Sequence, residues 1–77
     1  MILYQLTEKP VEVSGLEKKA SFGIECRTVE NGEAVLLDAI EDIASSRQSV
    51  AALAQRCTQA QLSPVHFRDV VEDFLLR

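Results

Sequence analysis

The spacing of apolar residues changes partway along this chain, from every second position to every third or fourth. Near the start, Ile2, Tyr4 and Leu6 alternate with Leu3, Gln5 and Thr7, which predicts a strand of about six residues. "EKPVEVSG" follows. Its Pro10 removes a backbone donor, so this passage reads as an edge, a turn or a loop and not as a central strand. Gly15 closes it, and "LEKK" is polar enough for a connector.

The clearest extended pattern comes next. Phe22, Ile24, Cys26 and Thr28 alternate with Ser21, Gly23, Glu25 and Arg27, and the chain returns through Val35, Leu37 and Ala39. Between them lies Asn31-Gly32, the pair that a type I′ hairpin turn favours because both central residues take positive φ. A two-residue loop sets Thr28 opposite Val35, Cys26 opposite Leu37 and Ile24 opposite Ala39. All six then share the buried face. That register leaves Glu25 directly opposite Asp38 on the outer face, with Arg27 as a diagonal neighbour, and it places Leu36 and Ile40 there as well.

From residue 45 the period is helical. Val50, Leu53, Ala54 and Cys57 fall at i, i+3, i+4 and i+7, one face of an amphipathic helix that ends near 59–61. Ser45 or Ser46 caps its start, and Ser45 with Gln48 fits a capping box. A second helix begins at Ser63 with Pro64 in its first position. Leu62 and Phe67 stand where a hydrophobic staple holds its two residues. Phe67, Val70, Val71, Phe74 and Leu75 form the buried stripe. Three strands followed by two helices predict an α+β fold over residues 1–77 as a single domain. Its three-stranded antiparallel sheet, with the hairpin at Asn31-Gly32, is covered on one face by a C-terminal two-helix hairpin.

Size and charge narrow the functions such a fold could carry. A domain of 77 residues buries only about 60–65% of its unfolded surface, so it gains from partner contacts. Residues 21–46 carry six acids against the single Arg27. Nucleic-acid binding needs clustered Lys and Arg to neutralise phosphates, and this acidic middle argues against it, including as a helix-turn-helix. "MILYQLTEK" is too short and too quickly polar for a secretory leader, and nothing later approaches a membrane span. Cys26 and Cys57 are then expected as reduced thiols in a cytoplasmic protein.

The residues with most chemistry lie in "SPVHFRDVVEDF". His66, Asp69 and Asp73 share one side of the last helix, at the margin of its apolar stripe. Read as catalysis, His66 is a general base oriented by Asp69, and Cys57 is the available nucleophile. Cys57, however, lies on an apolar stripe, where a thiol behaves as a small hydrophobe. Read as a metal site, the same side chains lack the close-set ligand pairs of zinc proteins. The plainer reading is a solvated helix face, with Arg68–Glu72 and Asp73–Arg77 as ion pairs one turn apart. No catalytic residue, metal or cofactor is therefore assigned.

The stretches "SFGIE" (21–25), "EDIASSRQSVAALAQRC" (41–57) and "LSPVHFRDVVEDFL" (62–75) resemble a family of small uncharacterised bacterial proteins, chiefly from clostridia and relatives, grouped as a domain of unknown function. The resemblance covers roughly the last two-thirds of the chain. It implies a small intracellular α+β domain and carries over no catalytic residue. The expected function is a non-enzymatic protein-interaction or regulatory module that binds a protein partner or a second copy of itself. Its candidate surface is Glu25, Leu36, Asp38 and Ile40. The alternative is a ligand-binding or catalytic protein that uses His66, Asp69 and Asp73.

Overall fold

The computed structural model describes residues 1–13, 15 and 17–76. Strands β1 (Ile2–Val13), β2 (Glu17–Glu30) and β3 (Glu33–Ala44) form one antiparallel sheet in the order β1-β2-β3. Helix α1 (Arg47–Gln59), a 3-10 turn (Pro64–His66) and helix α2 (Phe67–Leu75) follow. The sequence order of strands then helices gives the α+β fold it predicts.

The first hairpin is longer than the sequence pattern implies. β1 continues through Pro10, which pairs with Ala20, and most of the expected connector belongs to β2. Leu16, the first residue of that connector, lies outside the described residues. Pro10 is tolerated because β1 is an edge strand, where a missing N–H interrupts no ladder on the open side. At the second hairpin Asn31 (φ 52°) and Gly32 (φ 79°) both take positive φ, the type I′ geometry expected of Asn-Gly.

The core forms between one sheet face and the helices. Tyr4, Phe22, Ile24, Cys26 and Ile43 from the sheet meet Val50, Leu53, Ala54, Cys57, Phe67 and Val71. All four residues of the α1 stripe are buried. Ser46 is the cap; its side chain accepts a hydrogen bond from the Ser49 N–H at 3.3 Å. Ser63 precedes the Pro64 turn without a side-chain cap, and α2 proper starts at Phe67. Phe67 is fully buried, edge-on to Tyr4 with ring centroids 5.1 Å apart. Leu75, expected in the stripe, is exposed, because α2 ends there and only Phe67, Val70, Val71 and Phe74 reach the core.

At about 3.3 Å per residue, the 14 residues of β2 run more than twice the length of α1, whose 13 residues rise about 1.5 Å each. The C-terminal end of α1 is level with Ile2, where Gln61 bonds to the strand. The β2–β3 turn therefore projects past the helices, and the whole molecule measures 45 × 28 × 18 Å.

Candidate interaction surface

The β2–β3 register decides which side chains face the solvent. From the turn inward it runs Glu30↔Glu33, Val29↔Ala34, Thr28↔Val35 and Arg27↔Leu36, as a two-residue loop requires. It then slips. Cys26 pairs with Asp38, Glu25 with Ala39 and Ile24 with Ile40, so Leu37 is an extra residue in a β-bulge. A second irregularity between Ile24 and Phe22 adds further residues to β3, with Asp42 at φ 57°.

The slip turns β3 over beyond Leu37, and this corrects the expected surface. Ile40 lies on the inner face and packs against the core. Asp38 also turns to the helix side, where Arg68 of α2 donates to its Oδ1 at 2.7 Å. Glu25 stays on the outer face but opposite Ala39, and Arg27 donates to its Oε2 from Nη2 at 2.8 Å and Nε at 3.1 Å. Arg68 thus reaches β3 and not Glu72. The proposed Asp73–Arg77 pair involves Arg77, which lies outside the described residues. Of the four expected surface residues, only Leu36 keeps both its apolar character and its exposure.

Leu36 has neighbours that the sequence pattern assigned to the core. Val35, Leu36 and Leu37 are 52%, 49% and 47% exposed. Val35 faces the helix side yet stays half exposed, and Leu37 is the bulged residue. Regular alternation accommodates "VLL" with Val35 and Leu37 inside and Leu36 outside, so the sequence holds no signal of the bulge. Glu30 and Glu33 face each other at the tip, like charges in a position where they repel.

The two sheet edges are finished differently. Ile2 and Tyr4 turn their backbone groups away from β2 and towards α1. Gln61 Oε1 accepts from the Ile2 N–H at 3.1 Å, and Gln61 Nε2 donates to the Ile2 carbonyl at 3.0 Å. Thr58 Oγ1 accepts from the Tyr4 N–H at 2.9 Å and shares its proton between the Tyr4 and Ala54 carbonyls. Further along, Pro10 has no N–H. On β3 the alternation points the groups of Ala34, Leu36 and Ala39 outward. The Ala39 N–H is met by its neighbour Asp38 Oδ1 at 2.8 Å. Ala34 and Leu36 have no such cap among the described residues.

The remaining concavities are small. On the outer face, Thr7, Lys9, Ser21, Gly23, Glu41 and Asp42 line a hollow of about 170 Å³. Within it, Lys9 pairs with Glu41 at 3.2 Å, and the Ser21 hydroxyl donates to Asp42. Between the helices, Leu53, Arg56, Val70, Asp73 and Phe74 line a groove of about 210 Å³. His66, Asp69 and Asp73 are all exposed, and only Asp73 borders a groove. No group of three or more His, Cys, Asp or Glu side chains suited to a metal occurs among the described residues.

Cys26 and Cys57 are free and buried. Burial pushes the Cys57 thiol above its ordinary pKa, which favours the protonated, unreactive form. Burial, and then a hydrogen bond with Cys26, push the Tyr4 phenol up as well; its hydroxyl donates to the Leu62 carbonyl at 2.7 Å. No helix among the described residues is long and apolar enough to cross a membrane.

The whole chain, residues 1–77, matches a family of unknown function (DUF6514), and the chain belongs to it. The match takes in the first twenty residues, which lie outside the resemblance visible in the sequence. No curated protein and no solved structure matches the chain.

Proposed function

We propose that this member of a family of unknown function is a non-enzymatic interaction module whose docking surface is the projecting part of β3. The observation that carries the reading is the contrast between edges. At the end of the sheet nearest the β2–β3 turn, β1 is capped at Ile2 and Tyr4 by Gln61 and Thr58, whereas β3 keeps the outward backbone groups of Ala34 and Leu36 beside three half-exposed aliphatic side chains. An open edge of this kind recruits an extended segment by strand addition: backbone bonds supply affinity and alternate side chains supply selectivity. The bulge at Leu37 and the Asp38–Ala39 cap end the open edge, so the recruited strand is short.

Part of the exposed aliphatic surface is thereby assigned to a partner, which suits a domain with so small a core. The family resemblance and the two buried, unpaired thiols support a bacterial cytoplasmic setting. In the test, Leu36 and Leu37 are both replaced by serine, and the variant is compared with the wild type by circular dichroism, sedimentation equilibrium and capture of partners from host extract. The reading expects an unchanged melting curve, with self-association or stoichiometric partner capture lost. Undiminished association would show that β3 is not the surface.

A further inference from the structure

We infer that the occupant of the β3 edge is an extended, basic and aliphatic segment of another protein, and not a second copy of this chain. The inference rests on the docking surface proposed above and adds the chemistry of its partner. Most acids near β3 already have a local partner. Glu25 is held by Arg27, Asp38 by Arg68, Glu41 by Lys9, and Asp42 accepts from Ser21. Glu30 and Glu33 do not. They face each other across the Asn31-Gly32 turn, and among the described residues no cation relieves them. Immediately beside them stand Val35, Leu36 and Leu37. The edge therefore presents uncompensated negative charge next to aliphatic surface, which lysine or arginine alternating with aliphatic residues would complement.

A second copy meets the same acids with its own. A two-fold antiparallel pairing of β3 with itself that uses the open groups of Ala34 and Leu36 is centred on Ala34, Val35 or Leu36. Centred on Leu36, it sets the Glu30–Glu33 tip of one copy beside the Glu41–Asp42 stretch of the other. Centred on Ala34, it brings the two tips together. These two arrangements stack acid on acid, and the one centred on Val35 sets Glu33 against Leu37 of the other copy, whereas a basic strand neutralises the tip in either direction.

The test uses the full chain with two blocked synthetic peptides, one alternating lysine with valine and one alternating glutamate with valine, read by titration calorimetry and sedimentation equilibrium. The lysine peptide is expected to bind and the glutamate peptide not. Binding is expected to weaken by roughly tenfold or more between about 50 mM and about 500 mM salt. The double variant Glu30→Lys/Glu33→Lys should lose the lysine peptide, and Leu36→Ser should weaken it. Equal binding of both peptides, or unchanged lysine-peptide binding by the charge-reversed variant, overturns the inference. A pure-chain dimer that Leu36→Ser dissolves also overturns it, while the docking surface stands. Peptide binding or dimerisation indifferent to Leu36→Ser would remove the surface as well.

Discussion

Gln61 satisfies both backbone groups of Ile2 with one side-chain amide, accepting at 3.1 Å and donating at 3.0 Å. It does for the strand edge what a fourth strand would do. Thr58 repeats the device two residues along at Tyr4, so the end of α1 serves as a polar seal for β1. The seal bears on function because it removes β1 as a competitor for strand addition at this end of the sheet.

The seal has a measurable consequence. Thr58→Val keeps the shape of the side chain but leaves the Tyr4 N–H without its acceptor. The expected loss is about 1–3 kcal/mol, read as a lower denaturant midpoint at unchanged slope. Gln61→Ala acts at an exposed position, where water replaces the amide, and should cost less.

Gly23 is required by the path of β3. A Cβ there would clash with the Ile40 carbonyl oxygen and lie 2.8 Å from the Glu41 Cα, both backbone atoms that no rotamer change can clear. Gly23→Ala is expected to destabilise by about 3 kcal/mol through overpacking, checked by thermal melting. A neutral result would mean that β3 does not cross Gly23 this closely.

The tip predicts a gain. Glu33→Lys places a cation opposite Glu30 and removes a cross-strand repulsion. Stability should rise by a few tenths of a kcal/mol at low salt, with the difference fading as salt is added.

Alkaline pH should loosen the core. The folded-state pKa values of Cys57 and Tyr4 lie above the ordinary 9.0 and 10.0. Their contribution is fully present below those ordinary values. It falls as the pH rises past them towards the raised folded values, because the unfolded chain gives up its protons first. A melting series from neutral pH upward should decline from about pH 9, and less steeply in Cys57→Ala.

The turn and helix α1 were legible from local chemistry. Asn31-Gly32 has few other uses between alternating strands, and the spacing of Val50, Leu53, Ala54 and Cys57 admits one buried face. The register beyond Leu36 was not legible. A regular ladder sets Ala39 opposite Ile24, and the bulged one sets Ile40 there; both are apolar, and only the better filling of the core by Ile40 separates them. The candidate surface changed for that reason. Ile40 and Asp38 moved to the inner side, and Val35 and Leu37 joined Leu36 in the open. The seal made by Thr58 and Gln61 was also invisible, since polar residues at the end of a helix ordinarily face water. His66 is exposed, so His66→Ala should shift stability by no more than about 0.5 kcal/mol.

The central claim is that β3 is where this protein meets its partner, and the most direct test is to map amide chemical shifts of the full chain during titration with the lysine–valine peptide. The account predicts perturbations concentrated at residues 30–38, absent from Leu36→Ser at the same peptide concentration. Perturbations centred on the groove lined by Leu53, Val70 and Phe74, or on the His66–Asp73 face, would contradict it.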